Sequence, residues 1–453
     1  MKPESAAKRE IYEETTLDDN DITLLRRGKP FSLIDKKLKT EWTIHPFAWQ
    51  LRPDAKPIKF DWEHTEYRFV KPEDLGKYDH VPQLEIGMER VLVSEETESG
   101  LKVLMDDHES GAQALAVKAL EILLAFVRGE KMAKLGDPEE FWKELRWGAW
   151  HLAKNGRPNM GSAIEAELFK ALDSSQKQVE ESGGVRAISL APLRAVVESS
   201  IETRIAARHD SLQNIANHFV KFIDTNRPRE RKDRPSSSRH IVTLSSSGTI
   251  TQCFRSVIEH AVEKGTYLKL SVLESRPRFE GVSFVSTLLE PFRNDPAVLS
   301  KIEIEIVSDA SIATVLEEAD YLVLGGDKVL PNGDVSNKIG SLTAALLVRT
   351  MENDCRTVAV FDSGKVGWVA DLPETEYNDP AELTDAWPSK TIAQLKKDQA
   401  KGFNIQVKNA YFEWVPHGYI DQYITERGPL DENGIGELAV ESEALEKRIF
   451  SDL

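Results

Sequence analysis

Cysteine is almost absent: Cys253 and Cys355 are the only two in 453 residues. So low a count excludes a disulfide framework and suits a reducing compartment, so a cytoplasmic protein is expected. Long apolar runs are lacking too. The longest nearly uncharged stretch, Leu120 to Val127, contains Glu121 and falls far short of the ~20 residues that span a bilayer, so no membrane segment is expected. Behind Met1 stand Lys2, Pro3, Glu4 and Ser5, neither the apolar core of a secretion signal nor an Arg-rich presequence. Basic residues are the minority, 58 Lys and Arg against 75 Asp and Glu, which leaves a net charge of −17. Such a field repels a phosphate backbone, so direct nucleic-acid binding is not expected. There is no internal repeat and no long low-complexity segment. What is present is ordinary globular material, 40% hydrophobic and 29% charged, enough for roughly three domains at about 150 residues each.

The first ninety or so residues hold short alternating runs, Trp42 to Trp49 and Ile58 to Trp62, broken by Pro and Asp. They read as strands of an antiparallel sheet. From about Leu101 the period becomes helical, with Leu115, Ala119, Ile122, Leu123 and Phe126 on one stripe and similar patterns in Trp142 to Leu152, Ile164 to Leu172 and Val196 to Ile223. Asn226 to Arg239 packs six Arg or Lys and three Ser into a Pro-containing solvated loop. Beyond it, short β-rich runs start at Ile241, Leu268, Ile302, Tyr321 and Val358, each followed by a turn and a helical pattern. That alternation predicts right-handed βαβ units and a parallel sheet covered on both faces, whose ligand crevice lies at the carboxyl ends of the strands.

Those strand ends carry the polar residues. After the first run, Ser245 to Thr249 opens a helix, where the free N–H groups around Ser247, Gly248 and Thr249 favour a phosphate. After the second comes Glu274-Ser275-Arg276-Pro277-Arg278-Phe279-Glu280-Gly281, and a guanidinium suits bidentate phosphate recognition. After the fourth, Gly325-Gly326-Asp327-Lys328 leads to Asn337-Lys338, which is read as the start of the next helix. Singly, each has a plain alternative: an N-cap, a surface ion pair, a tight turn.

Taken together, these strings resemble the superfamily of translation initiation factor 2B alpha, beta and delta subunits, which also holds methylthioribose-1-phosphate and ribose-1,5-bisphosphate isomerases. The resemblance rests on Leu273 to Gly281, on Gly325 to Gly340, on Asn409 to Pro416 and on Ile424 to Gly428, and extends to Ser110-Gly111-Ala112 and Arg157-Pro158-Asn159-Met160. It implies a Rossmann-like α/β domain over 236–440 behind a helical domain over 95–230, a phosphorylated sugar or nucleotide as ligand, and assembly as a homo-oligomer or with homologous subunits. Isomerising members use a cysteine after the first strand and an aspartate in the glycine segment. Asp327 matches the aspartate, whereas Ser245 stands in the cysteine's place. A hydroxyl ionises far less readily than a thiol of pKa ~8.5. Cys253, eight residues further on, is read as a buried packing residue. The resemblance leaves Arg276, Asn337, Lys338 and Gly326 as ligand-binding residues beside the Ser247 to Thr249 turn, and Asp327 with Ser245 as the catalytic pair of any isomerase. The chain therefore resembles the non-catalytic regulatory subunits, or a sugar-phosphate binder, more than a cysteine-type isomerase.

A second resemblance lies at the start. Ala6 to Leu17 is similar to the second half of a Nudix box, and Trp42 to Leu51 and Trp62 to Val70 resemble the strands that follow it. Glu10, Glu13 and Glu14 stand at i, i+3 and i+4, on one helix face, and three carboxylates there suit Mg²⁺, which would bridge a pyrophosphate and help activate water. The plain alternative is an acidic solvated helix. The strands that precede the box in that family have no counterpart before Ala6, so residues 1–85 are read as a partial α+β Nudix module. The functions expected are thus a regulatory or sugar-phosphate-binding protein or, alternatively, a Mg-dependent Nudix hydrolase or a sugar-phosphate isomerase.

Overall fold

The computed structural model describes residues 2–36, 38–107, 110–157, 161–226, 238–351, 354–367 and 377–453. Pro158, Asn159 and Met160 of the helical motif, and most of the basic loop, lie outside the described residues. The chain divides into two compact units. One comprises Met1–His108, Ala125–Gly136 and Glu140–Gly161, and the other Glu109–Leu124, Asp137–Glu139 and Ser162–Leu453.

The first unit opens with helix α1 (Pro3–Thr15), which starts at a proline, buries no residue and stops where Thr16 turns into the left-handed region. Two antiparallel pairs follow: β1 (Ile22–Arg27) with β4 (Phe47–Leu51), and β2 (Phe31–Asp35) with β3 (Thr40–Ile44). The run Ile58 to Trp62 and the stretch to Val70, read above as strands, form none. Pro57 can give no ladder donor, and the Asp61 carboxylate accepts the N–H groups of Glu63 at 3.0 Å and His64 at 3.1 Å, which closes a turn where a strand was expected. Helices α2 (Leu84–Glu89), α3 (Glu95–Asp106), α4 (Ala112–Arg128), α5 (Glu130–Lys134) and α6 (Pro138–Asn155) come next. At the end of α6, Asn155 accepts the Arg27 N–H at 2.7 Å and donates to the Arg27 carbonyl at 3.0 Å, so its amide satisfies both main-chain groups of a β1 residue.

The second unit continues with the long helices α7 (Gly161–Glu181) and α8 (Leu190–Thr225) and then alternates. In order come β5 (Arg239–Thr243), α9 (Gly248–Lys264), β6 (Leu268–Leu273), α10 (Glu280–Leu289), α11 (Pro296–Leu299), β7 (Ile302–Val307), α12 (Ile312–Leu316) and β8 (Tyr321–Leu324). They are followed by β9 (Lys328–Val329), β10 (Val335–Lys338), α13 (Ser341–Thr350), β11 (Arg356–Val360), β12 (Tyr377–Asn378), α14 (Pro380–Thr384) and α15 (Ser389–Ala400). The chain closes with β13 (Asn409–Ala410), β14 (Phe412–Val415), β15 (Gln422–Thr425), β16 (Gly428–Leu430) and α16 (Glu432–Phe450).

Seven strands form one sheet in the order β16-β15-β11-β8-β5-β6-β7, parallel throughout except for the terminal β15–β16 hairpin. Successive residues of a strand face opposite sides. Tyr321 and Val323 enter a core with Phe219, Phe254 and Phe284, while Leu322 and Leu324 enter another with Leu316, Ala345 and Phe361. Both sides being buried, the strands read as continuous apolar runs. Cys253 lies fully inside the first core.

Asn337 and Lys338 do not begin a helix. They end β10, which pairs antiparallel with β14, Asn337 opposite Glu413 and Lys338 opposite Phe412. The helix starts at Ser341, its first N–H groups taken by Glu413, which accepts from Gly340 at 2.6 Å and Leu342 at 3.0 Å.

A buried ionic network ties α7 and α8 to the end of β11. Glu167, fully buried, accepts from Arg204 at 2.6 Å and from Arg208 at 3.1 Å; Arg208 also donates to Asp362 at 3.1 Å, and the Ser211 hydroxyl to Asp362 at 2.7 Å. Burial alone would raise the Asp362 carboxyl, but the charges of Arg208 and Lys170 and the Ser211 hydroxyl outweigh it and hold it at about 2. A carboxyl depressed below the ~3.9 of the unfolded chain contributes its full stability above that value and loses it as pH falls through the folded one. Removing one member strands the other charges, at a cost of about 3–5 kcal/mol. Asp362→Ala is therefore expected to lower the urea midpoint of unfolding markedly at pH 7. The gap between the natural chain and Asp362→Asn should shrink as pH falls from about 4 to about 2. Equal midpoints at pH 7 would mean that the network does not hold these helices.

Candidate functional site

At the carboxyl ends of β5 and β6 the chain leaves the sheet through turns that ordinary side chains resist. Ser245, Ser275 and Phe279 all adopt left-handed φ values, 69°, 61° and 55°. Three such residues near two adjacent strand ends are costly, and backbone of this kind clusters at binding sites. The turns are held by side chains: Asp309 accepts the N–H groups of Ser275 and Arg276, each at 2.8 Å, and the Ser275 hydroxyl accepts the N–H of Ser245 at 2.6 Å. Gly281 is required here, because a Cβ at that position would overlap the Leu273 carbonyl oxygen and push α10 off the end of β6.

Within this frame the expected residues fall into groups. The Ser245 hydroxyl donates to Glu280 at 3.1 Å, and the other oxygen of Glu280 accepts from the Lys338 ammonium at 2.9 Å. Lys338 is buried, and its ammonium stands 4.2 Å from the Tyr411 ring centroid and 5.5 Å from that of Phe412. Burial, followed by the hydrogen bond to Glu382, pushes the Tyr411 hydroxyl well above the ordinary tyrosine range. Asp327 forms a second group. Its N–H donates to the Ser336 carbonyl at 2.8 Å, and its carboxylate lies 3.7 Å from the ammonium of the buried Lys365, which also donates to the Gly326 carbonyl. Asn337 is turned inward, donating to Ser341 at 2.9 Å, and a Cβ on Gly325 would sit only 3.2 Å from its Oδ1. Ser247 caps α9 with no side-chain hydrogen bond, which leaves its first N–H groups without that partner, while Thr249 is buried and accepts from Gln113 at 3.0 Å. Arg276 stands apart from the Lys338 group. Its guanidinium lies 5.0 Å over the Phe279 ring and donates to the Leu383 carbonyl at 3.2 Å.

Four contributors escaped sequence reading: Glu280 as the bridge, Lys365, Tyr411 and Gln113. Lys365 was detectable, since Asp362-Ser363-Gly364-Lys365 follows a β-rich run as the other polar segments do. Cys253 stands outside the site. Burial pushes its thiol far above the ordinary range, so no ionisable thiol replaces the hydroxyl of Ser245.

The glutamates of α1 lie on an exposed helix face. Glu10, Glu13 and Glu14 are exposed, Glu13 pairs with Arg9 at 3.7 Å, and among the described residues no three acidic, histidine or cysteine side chains converge as a ligand set. Among those residues, too, no helix is long and apolar enough to cross a membrane.

Comparison with known proteins gives two matches along the chain. Residues 108–432, well over half of it, match the initiation factor 2 subunit family, and residues 2–92 match the NUDIX domain. Ribose 1,5-bisphosphate isomerase of Methanocaldococcus jannaschii is 27% identical over 244 residues, covering 49% of this chain and 72% of that protein. 5-Deoxyribose 1-phosphate isomerase of Clostridium botulinum is 27% identical over 340 residues, covering 71% and 84%. Among solved structures, the tetrameric eIF2B-beta2-delta2 complex from C. thermophilum superposes with a TM-score of 0.53 at 14% identity, covering 76% of this chain and 94% of that one. This likeness establishes the Rossmann-like sheet.

The pairing of Lys338 with Glu280 sets how an anion is received. An incoming phosphate must compete with a carboxylate already 2.9 Å from the ammonium and is repelled by it. Glu280→Gln keeps the shape and removes the charge, so it is expected to tighten binding of a phosphorylated ligand about tenfold by calorimetry, worth ~1.4 kcal/mol. Lys338→Ala should weaken it by at least as much. Unchanged affinity in both variants would place the anion elsewhere.

Proposed function

Because the chain belongs to the initiation factor 2 subunit family, we propose that its parallel sheet binds a small phosphorylated sugar at the carboxyl ends of the strands, in a regulatory or ligand-sensing role. The observation that carries this reading is the Ser245, Glu280, Lys338 chain at 3.1 and 2.9 Å. A sugar phosphate brings both kinds of group that such a chain recognises, an anion for the ammonium and hydroxyls for the carboxylate and the serine. The names of the relatives support the same ligand class, since ribose 1,5-bisphosphate and 5-deoxyribose 1-phosphate are both five-carbon sugars phosphorylated at the anomeric carbon.

Isomerisation is a second reading, favoured by Asp327 beside Lys365. Turning a sugar phosphorylated at its anomeric carbon into the ketose phosphate breaks the C1–O4 ring bond, moves the C2 hydrogen to C1 and delivers the O2 proton to the released O4, so no other reactant is consumed, and it requires one group to accept a proton and another to supply one. Asp327 offers one carboxyl. Ser245 is a poor partner, and its hydroxyl is already committed to Glu280. The amino-terminal NUDIX match bears on pyrophosphate hydrolysis, and Glu10, Glu13 and Glu14 on α1 are the residues that would hold magnesium for it.

Calorimetry with ribose 1,5-bisphosphate, methylthioribose 1-phosphate and AMP tests the binding. Heat from a sugar phosphate at millimolar concentration or below is expected, and none from any of the three, with the fold intact, would overturn the proposal. Turnover of the natural chain with the same sugars is expected to be negligible, to rise in Ser245→Cys, and to rise further when Glu280→Gln is added, because a thiolate beside a carboxylate is disfavoured. Substantial turnover by the natural chain would show that proton transfer does not run through position 245.

A further inference from the structure

Residues 377–408 make an excursion that returns to the strand-end site. The segment leaves through β12, carries the short α14 and the exposed α15, and comes back through β13, whose two residues pair with β12, Tyr377 with Ala410 and Asn378 with Asn409. No residue from 377 to 408 is buried. The hydrophobic effect therefore does little to hold it down, and a segment with so little buried surface opens at low cost. What ties it to the body is a handful of polar contacts made by residues of the site. Asn409 donates to the Asp379 carbonyl at 2.8 Å and to Glu382 at 3.1 Å. The Tyr411 hydroxyl donates to the same Glu382, and the Arg276 guanidinium donates to the Leu383 carbonyl at 3.2 Å. Tyr411 is thus shared: its ring lies against the Lys338 ammonium, its main-chain carbonyl accepts the Ile339 N–H at 2.8 Å, and its hydroxyl fastens α14.

We propose that residues 377–408 are a strap over the strand-end site, that Glu382 with Tyr411 and Leu383 with Arg276 are its two latches, and that a phosphorylated ligand opens it by taking Arg276 from the Leu383 carbonyl. The inference rests on the strand-end binding reading. Its energetic basis is the difference between the two acceptors: a guanidinium bond to an anionic phosphate is roughly twice as strong as one to a neutral carbonyl. Ligand binding then exchanges one latch for a better bond and leaves Glu382 with Tyr411 as the remaining tie. Lys338, 4% exposed, lies against the Tyr411 and Phe412 rings, so releasing the Tyr411 hydroxyl from Glu382 loosens part of its cover. Affinity and access are in this way linked to a segment that buries nothing of its own.

Two readouts separate the strap from the ligand. The first needs no ligand: labelling of Lys338 by trinitrobenzenesulfonate, followed by peptide mass spectrometry, in the natural chain, in Glu382→Ala and in Tyr411→Phe. Both substitutions lie outside the buried core, and matching thermal melts confirm an intact fold. At least fivefold faster labelling of Lys338 in both variants is expected, and equal rates in all three would overturn the strap. The second is amide hydrogen exchange over 377–408 with and without ribose 1,5-bisphosphate at a concentration that calorimetry shows to be saturating. Faster exchange in α14 on binding is expected. Binding with unchanged or slower exchange would overturn the opening step while leaving the binding site standing, whereas faster labelling in the variants with no ligand heat would leave the strap and overturn the sugar-phosphate reading.

Discussion

A parallel sheet covered on both faces has no polar surface left except at its two ends, and that constraint governs the second unit. Every residue of β5 and β8 is buried, on one side among the phenylalanines of α8, α9 and α10 and on the other among the aliphatic residues of α12, α13 and α16. Polar chemistry is displaced to where the strands stop. There the chain must turn at once into helices that cover the sheet, and the turns are bought with left-handed serines, an overlap-free glycine and the Asp309 clamp. The strain and the site have one cause, since the crowding that forces these turns also gathers their side chains.

Charge balance is the next consequence. The buried ammoniums of Lys338 and Lys365 each face a carboxylate, Glu280 and Asp327, so these two pairs are close to neutral. In a chain of net charge −17, unpaired cations would be poorly placed to discriminate among anions by attraction alone, because the surrounding field opposes all of them. Paired cations instead reward a ligand that satisfies the carboxylate as well as the ammonium. A molecule with hydroxyls next to its phosphate does so, and inorganic phosphate does not.

The sheet was legible because its strands are buried on both sides, which writes them as apolar runs such as Tyr321-Leu322-Val323-Leu324 between polar turns. The same logic failed where pairing is local and half exposed. Asn337 and Lys338 look like a helix start because what makes them a strand is β14, more than seventy residues later, and no local signal carries that register. Ile58 to Trp62 alternates like a strand, yet Asp61 spends its carboxylate on the N–H groups of Glu63 and His64 and ends the run. Of the site, the residue types and their strand-end positions were readable, and so was the exclusion of Cys253. The partnership of Ser245 with Glu280 was not, because it depends on how α10 starts, which Gly281 settles by its close approach to β6. The acidic face of α1 shows the limit of spacing as evidence: Glu10, Glu13 and Glu14 recur as a ligand set would, and remain a solvated face.

Serine at position 245 and glutamate at position 280 make physical sense as a pair. A hydroxyl is a good donor to a carboxylate and carries no charge of its own, so the 3.1 Å bond between them costs nothing in repulsion. A thiol in the same turn would be a weaker donor, and once ionised it would face the carboxylate at close range, which raises its pKa and stabilises the form that does no proton transfer. The carboxylate also holds the Lys338 ammonium at 2.9 Å, which offsets part of that repulsion. With Glu280 in place, position 245 is therefore suited to recognition through a neutral hydroxyl and unsuited to acid or base work. Two residues thirty-five apart in sequence thus bear on the same proposal, recognition of a ligand at the strand ends through a neutral hydroxyl and a carboxylate.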